Sequence, residues 1–478
     1  MQKTVVVIGG GISGLSTCYY LSKNSQSSKI ILLEANKRLG GWMHTIRRED
    51  GAVFEQGPRA IRPAGVIGRN TLKMVSELGL ENEILPVTAE NPASRNRFLF
   101  VNGKLQKLPS SPVAALKATP PFSKSIFHSI LEEIFVKRGT LDDESVHGFV
   151  ERRLGKELAD IAIDSLCRGV FAGDCRKLSM RSCFPPLFHA ERKHGSITLG
   201  MVLGARMKEE SDVKQNRLVQ QSRKEHWSQW SLKQGLQTLA ESLEDHLRNT
   251  DRVEIHQEAA VQQIQMGREG AWEVHVEGGR FKADYIVSAV QAKVLSSMLP
   301  PAAQPLAEEL QKISPASVAV VNLEYDGLVL PVTGFGHLIP STENRAVLGI
   351  VYDSDAFPEH NRKGPPSTRL TVMMGGAWFT EEFGSPEEAD RTRLLHVAVQ
   401  AVKSHLNVKE MPSWSNVNVH KDCIPQYLVG HWKCLDNIWS LIEQHRLPLS
   451  LVGASYEGVS VNDCIFGGKR AAERLLGN

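Results

Sequence analysis

No stretch of this 478-residue chain approaches the roughly 18 consecutive apolar residues of a membrane-spanning helix. Nor is there a block of Lys or Arg long enough to form a polybasic arm. With 56 basic against 53 acidic side chains, the formal net charge is only +3, and nothing in that balance calls for nucleic acid. Cysteine is scarce. The seven present are an odd number without paired CxxC spacing, which argues against a disulfide framework and against a zinc site. No metal is expected, and Cys167, Cys175, Cys183 and Cys464 read as reduced core or helix cysteines. Only Met1–Thr4 stand before the first apolar run, with no apolar leader core and no Arg- and Ser-rich amphipathic leader. Composition alone points to the cytosol.

What is present is 41% apolar residues, enough for two or three domains with a large core. The run Val5-Val6-Val7-Ile8 reads as a buried strand and Leu15–Leu21 as a helix. Between them, Gly9, Gly10, Gly11, Ile12, Ser13 and Gly14 form a G-x-G-x-x-G turn. In such a turn the first glycine makes the bend, the second admits a pyrophosphate, and the third lets helix and strand pack closely. The helix N-terminus then offers free N–H groups to the phosphates. Alone, the pattern also fits a ligand-free turn. Lys29–Leu33 reads as the second strand, and Glu34 ends it where an acidic residue accepts ribose hydroxyls.

Further elements extend this reading. Arg38-Leu39-Gly40-Gly41-Trp42 suits a second approach to the pyrophosphate and is the first sign that the dinucleotide is FAD. Gly57-Pro58-Arg59 forces a turn after a short strand, with Arg59 either meeting a flavin or phosphate edge or solvated. Residues 70–82 have helical spacing and a Gly79 stop. Residues 96–105 read as a hairpin turning at Asn102-Gly103. Across 109–210 the chain becomes Pro- and Ser-rich with short amphipathic helices. Ile126, Phe127, Ile130, Leu131, Ile134 and Phe135 share one helical face, and Ile197–Leu203 is an apolar stretch flanked by Lys193 and Arg206. Two readings stand side by side there: a helical subdomain packed on itself, or an apolar face resting in a membrane interface.

The Trp227/Trp230 pair reads as core, ahead of an amphipathic helix after Gly235. Strands follow over 253–256, 261–264, 272–276 and 283–290. Runs at 318–325, 337–340, 347–352 and 370–374, with the Thr333–Gly336 turn, suggest a mostly antiparallel second sheet, and 394–406 is helical. Leu449–Gly453 is a strand and glycine. Val459–Asp463 then enters a helix running to Leu476, with Asn462 or Asp463 at its cap or first turn. Aimed at a flavin, that helix N-terminus stabilises negative charge on the reduced ring. A fingerprint at one terminus with strand–glycine–helix at the other describes a split FAD domain.

These residues resemble the flavin-dependent amine oxidase superfamily. Within it, residues 54–63, 96–99, 164–173, 334–337 and 453–463 look like the animal-type protoporphyrinogen oxidase family. The resemblance covers essentially the whole chain. It implies oxidation of protoporphyrinogen IX to protoporphyrin IX in haem biosynthesis, with O2 as oxidant and H2O2 as product, on non-covalently held FAD. It assigns Gly9–Gly14, Trp42, Gly57–Ala60, Val261, Ala454, Val459, Ser460 and Val461 to FAD. Glu34, Arg38 and Gly41 join them from the motifs above, and Ala60 departs from a common glycine. Arg97, Arg168, Phe335, Gly336, Leu338 and Met373 line the porphyrinogen pocket. The same resemblance implies a homodimer seated monotopically on the outer face of the mitochondrial inner membrane, with ferrochelatase a candidate partner.

The implied architecture is α/β (α+β), with a split Rossmann-like FAD domain (1–90, 251–300 and 421–478), a helical membrane-binding domain (91–210), a linking segment (211–250) and an antiparallel-sheet substrate domain (301–420). A tetrapyrrole with two propionates needs a wide apolar cavity and a cationic anchor, which Arg97 fits unless it is a hairpin surface charge. Hydride transfer to flavin with loss of pyrrole N–H protons needs no indispensable acid–base side chain. His337 and His420 are candidate relays, with a structural role the stronger reading. Two alternatives remain: an amine or polyamine oxidase, for which Tyr456 alone is thin support, and a colourless binding protein resembling the Rab GDP-dissociation inhibitors. Cys464, inside a helix, argues against a covalent flavin.

Overall fold

The computed structural model describes residues 3–24, 28–204, 209–267 and 271–477, so Arg206 lies outside the described residues. The opening apolar run is fully interior, with Val6 and Val7 at 0% exposure. Its strand, Lys3–Ile8, is the middle of a five-stranded sheet. The order is Leu449–Leu451, Tyr285–Ser288, Lys3–Ile8, Ser28–Leu33 and Val253–His256, all parallel. Apolar side chains on both faces are what a doubly covered parallel sheet demands. One face is covered by the helices Ile12–Asn24 and Val461–Leu476, the other by Gln304–Gln311 and His431–Gln444. The strands come from distant stretches of chain, so the domain is split.

The second sheet has seven strands in the order Trp414–Pro425, Pro315–Asp326, Ser367–Gly376, Val347–Val351, Gly336–Leu338, Arg97–Val101 and Lys104–Lys107. All neighbours are antiparallel except Gly336–Leu338 with Arg97–Val101. The hairpin expected at Asn102-Gly103 forms, both residues at positive φ (54° and 70°). It does not belong with the helices that follow it, because Phe98 is buried in the core of the sheet. Nor is Gln237–Arg248 a substrate-domain or linking element. Leu239, Leu243 and Leu247 are buried with Val5 and Val7, so it completes the nucleotide domain. The strand Trp414–Pro425 likewise runs past residue 420 within the substrate-side sheet.

Of the two readings of the helical region, the first helix does not pack its apolar face inward. Ile126–Glu133 buries Ser129 and Glu133 and leaves Phe127 and Leu131 exposed, with Phe135 just beyond at 86%. The cause is Glu133. Its carboxylate pairs with the fully buried Arg153, takes the Ser196 hydroxyl at 2.6 Å, and accepts the N–H groups of Ile197 and Thr198 at 2.8 and 3.2 Å. It thus caps the helix Ile197–Leu203, whose Met201, Val202 and Leu203 are also exposed. Polar pairing organises the inside, and apolar side chains are left outside. No helix among the described residues is long and apolar enough to cross a membrane.

Removing one partner of a buried pair strands the other charge. Arg153→Met is expected to lower stability by about 3–5 kcal/mol in chemical denaturation. Burial pushes the Glu133 carboxyl up, but hydrogen bonds from Ser196, Arg153, Ile197 and Thr198 outweigh it and hold the group at about 2. A folded-state value below the unfolded one stabilises at neutral pH. That contribution is expected to fade as pH falls from about 4.5 toward 2, and an acid titration of unfolding in Arg153→Met should show a weaker slope in that window.

Candidate functional site

Three glycine loops converge at the C-terminal edge of the parallel sheet. The first is the fingerprint turn. A β-carbon on Gly14 would lie 1.9 Å from the Gly9 carbonyl oxygen, so strand and helix meet with no room for a side chain. The second, Arg38–Trp42, docks beside it. Gly40 N–H donates to Gly10 C=O at 2.8 Å, and a β-carbon on Gly41 would stand 3.1 Å from Gly11 Cα. The third packs on the second, where a β-carbon on Gly57 would strike the Trp42 carbonyl at 2.0 Å. Glu34 ends its strand as expected. One carboxylate oxygen accepts Gly10 N–H at 2.7 Å and the other Asn36 N–H at 2.9 Å. The strand opening at Val261 lies alongside, because Ala259 N–H donates to Glu34 C=O at 2.8 Å.

The C-terminal turn closes the cradle. Gly453 (φ +108°) would place a β-carbon 3.2 Å from Ser13 Oγ. Tyr427 donates its hydroxyl to Ala454 C=O at 2.5 Å and fixes that loop. The cap of the last helix is Ser460 rather than Asn462 or Asp463. Its hydroxyl accepts Asp463 N–H while the Asp463 carboxylate accepts Ser460 N–H, a capping box that keeps Asn462 and Asp463 in the first turn. Asn462 donates to Arg62 C=O at 2.8 Å and leaves its Oδ1 buried without a partner. Cys464 is buried inside the helix, its thiol pushed up to about 11 by burial.

The arginines divide sharply. Arg38 spends its guanidinium on the carbonyls of Leu39, Met43 and Gly41 at 2.7, 2.9 and 2.5 Å, so it shapes the loop. Arg168 is buried, with Nη2 donating to the carbonyls of Asn344 and Val347 at 2.6 and 2.8 Å and its guanidinium over Trp378. Burial lowers it to about 10. Its Nε and Nη1 are buried without a partner, as are both Nη atoms of Arg59, which has Asp353 3.8 Å away as an ion-pair partner.

Substrate-side residues share one face of the seven-stranded sheet. Register places Arg97 beside Gly336 and Leu99 beside Leu338, while Phe98 and His337 point to the opposite, core face. Met373 pairs with Val320 and lies with Leu348 and Val320 on the site side. A β-carbon on Gly169 would press on Leu338, which seats the helix Asp164–Phe171 against this face. Phe335 and Ala60 pack in one cluster, joining the third glycine loop to the sheet.

Neither histidine serves as a free relay. His337 is buried on the core face between the Tyr352 hydroxyl (2.8 Å) and His405 Nδ1 (3.0 Å), and burial lowers it well below the ordinary value. His420 donates to the Gln56 carbonyl at 2.5 Å with its ring against Trp42. The residues missed from sequence are those that join the domains. Gln56 donates to Asn322 Oδ1 at 2.6 Å and accepts from Asn416 at 2.8 Å, and Asn322 donates to Thr371 at 2.9 Å. The available signal was Asn322, a lone amide inside Val-Ala-Val-Val-Asn-Leu. Arg62 was also passed over, and its charge helps to lower the Arg97 guanidinium after burial.

A sheet edge ringed by glycine backbone, a ribose-level carboxylate and a buried guanidinium without hydrogen-bond partners defines a flavoenzyme site. Residues 12–476 match the family of flavin containing amine oxidoreductases, and the chain belongs to that family. Over 477 residues it is 50% identical to protoporphyrinogen oxidase of Homo sapiens, covering 100% of this chain and 99% of that protein. It is 33% identical to protoporphyrinogen oxidase of Schizosaccharomyces pombe, covering 99% and 98%. Among solved structures, cyclohexylamine oxidase of Brevibacterium oxydans shares the fold, with a TM-score of 0.70 at 15% identity over 100% of this chain and 99% of that one.

The glycine cradle and the orphaned Arg59 and Asn462 atoms fit a flavin. Gly14→Ala is expected to yield protein without visible flavin absorbance, because its β-carbon would overlap the Gly9 carbonyl. Flavin content per polypeptide after purification checks it.

Proposed function

We propose that this chain oxidises protoporphyrinogen IX to protoporphyrin IX, with O2 as acceptor and H2O2 as product, on a non-covalent FAD. The observation that carries the reading is the 50% identity to the human protoporphyrinogen oxidase along the whole chain, joined to an apolar sheet face that meets the flavin cradle. An amine oxidase reading gains nothing from Tyr456, which is buried at 2% exposure in the core beside Trp439. Cys464 lies buried within its helix, which supports non-covalent attachment.

When bound, the flavin would supply the hydride acceptor and pass the electrons to O2. The chain supplies position. Glu34 would take the ribose hydroxyls, the glycine loops would offer backbone N–H groups to the pyrophosphate, and Arg59 would offer the two nitrogens that lack a hydrogen bond in the protein. Leu338, Met373 and Phe335 hold the apolar rim of the tetrapyrrole. Arg97 and Arg62 form a cationic pair without carboxylate partners among the described residues, matched to the two propionates. Arg168 acts one layer back, stapling the 344–347 segment. His337 and His420 are engaged in structural hydrogen bonds, and the substrate's own pyrrole N–H groups release the protons.

Losing one charge-assisted carboxylate contact costs about 1.5–3 kcal/mol. Arg97→Ala is therefore expected to raise KM for protoporphyrinogen about 10- to 100-fold while flavin content stays at the wild-type level. Anaerobic reduction of the bound flavin by protoporphyrinogen reads the first, and absorbance the second. Equal loss of both would make Arg97 structural, and reduction by spermine but not by protoporphyrinogen would replace this function with amine oxidation.

We also place the chain on a membrane surface, that of the mitochondrial inner membrane facing the intermembrane space, as a monotopic homodimer. Support comes from the helices Ile126–Glu133 and Ile197–Leu203, whose adjoining surfaces expose Phe135 at 86%, Val202 at 78% and Leu203 at 66%. Monomeric proteins seldom leave so contiguous an apolar area in water. Phe135→Glu with Val202→Glu is expected to cut sedimentation with phospholipid vesicles at least about tenfold, at unchanged melting temperature. Wild-type-like binding would remove this face from the membrane.

A further inference from the structure

A cavity of about 450 Å³ runs along the strand Leu449–Leu451 at the margin of the parallel sheet, reaching the Gly453 turn at one end and touching none of the porphyrinogen residues. Val5, Tyr285 and Ala471 line it from one face of the sheet, and Trp439 and Tyr456 from the other. It therefore wraps the free edge of that strand. On the inner side, Ile286 N–H donates to Pro448 C=O and Val452 N–H to Ser288 C=O, at 2.8 and 2.9 Å. In a parallel ladder the intervening residues turn the other way, so the carbonyl of Leu449 and both backbone groups of Leu451 face the cavity. No strand among the described residues pairs with that side. Tyr456 adds a second sign of a missing occupant: it is 2% exposed, it lines the cavity, and its hydroxyl has no partner.

The charges around the cavity sort themselves. Its three carboxylates are occupied within the protein: Glu457 by Arg470 at 2.8 Å, Asp463 by the Ser460 hydroxyl at 2.5 Å, and Asp284 by Thr4 N–H at 2.7 Å. Its remaining cations, Lys3 and Arg474, have no carboxylate partner among the described residues. Both stand at the same end. Lys3 opens the central strand, and the helix Val461–Leu476 returns across the sheet to bring Arg474 back to where the strands begin. A strand added antiparallel to Leu449–Leu451 would carry its C-terminus to that end, whereas a parallel one would bring its amino group there.

We propose that this edge is a docking site for an extended peptide segment ending in a free carboxylate. The segment adds an antiparallel strand to Leu449–Leu451, with its C-terminus held by Lys3 and Arg474 and apolar side chains set at alternate positions. The mixed polar and apolar lining and the free backbone groups favour a peptide over a fatty carboxylate, which would leave the Leu451 N–H and the Tyr456 hydroxyl unsatisfied.

The test uses the flavin-loaded protein. A library of hexapeptides with free C-termini is screened, and the best binder is resynthesised with an N-terminal fluorophore as acid and as amide and titrated by fluorescence anisotropy. The acid is expected to bind with alternate apolar positions enriched, and the amide at least about tenfold more weakly. Lys3→Glu with Arg474→Glu should weaken the acid by a similar factor. Gly467→Trp should abolish binding, because Gly467 lines the cavity and a β-carbon there meets nothing within 4 Å. Flavin absorbance and melting temperature establish that the variants are folded, and the comparison of acid with amide needs no variant. No enriched sequence, equal binding of acid and amide, retained binding in Gly467→Trp, or displacement of the peptide by palmitate would each overturn the proposal. Because no readout is turnover, failure here leaves the porphyrinogen reading untouched.

Discussion

The close crossing of the first and last helices is the contact on which the rest of the molecule depends. A β-carbon on Gly468 would stand 2.7 Å from Ser16 Oγ and 2.9 Å from the Thr17 nitrogen, so the two backbones approach where no side chain fits. Gly14 and Gly453 keep the same closeness at the turns that lead into these helices. The nucleotide cradle therefore exists only when both ends of the chain are in place. The substrate-side sheet and the helical region are, in effect, insertions between returns of the chain to the nucleotide sheet. Because loop-closure entropy grows only slowly with length, such an insertion costs little once the ends have met. The seven-stranded sheet uses that freedom to stand over the cradle, and the Gln56–Asn322 bond fixes its approach.

That arrangement explains why some features were legible in the sequence and others were not. The strand–glycine–helix turn, the Asn102-Gly103 hairpin and the Gly79 helix stop are local: each is fixed by backbone conformations that few residues allow. Their positions came through within a residue or two. What failed was assignment between layers. The 97–107 hairpin was grouped with its sequence neighbours, yet Phe98 and Leu99 find their partners in residues 337 and 338. The apolar stripe of Ile126–Glu133 was correct as a stripe, but periodicity says only that two faces differ. Which one turns inward was decided by Glu133 finding Arg153 and the N–H groups of another helix. Asn462 and Asp463 do stand in the first turn of the last helix, but which residue caps it is decided by the paired hydrogen bonds of Ser460 and Asp463.

The arginines carry the argument from fold to chemistry. A guanidinium has five donors and no acceptor, so a buried one must be spent on carbonyls, carboxylates or a ligand. Arg38 and Arg369 are spent on main-chain carbonyls, Arg369 on Val53 and Phe357 at 2.8 Å each, whereas Arg168 spends only Nη2 that way and keeps Nε and Nη1 buried without a partner. Arg153 is spent on Glu133. These residues are rigid supports, and a motif that counts arginines cannot tell them from ligands. Arg59 keeps both terminal nitrogens buried without a hydrogen bond, with only Asp353 at 3.8 Å to balance its charge, and Arg97 sits beside the like charge of Arg62 on the site face. Two cations held together without a carboxylate cost free energy in the empty protein. That cost is relieved only by an anion, and a substrate with two carboxylates relieves it twice. The chemistry of the substrate is thus written less in what the site contains than in which of its charges the protein has declined to neutralise.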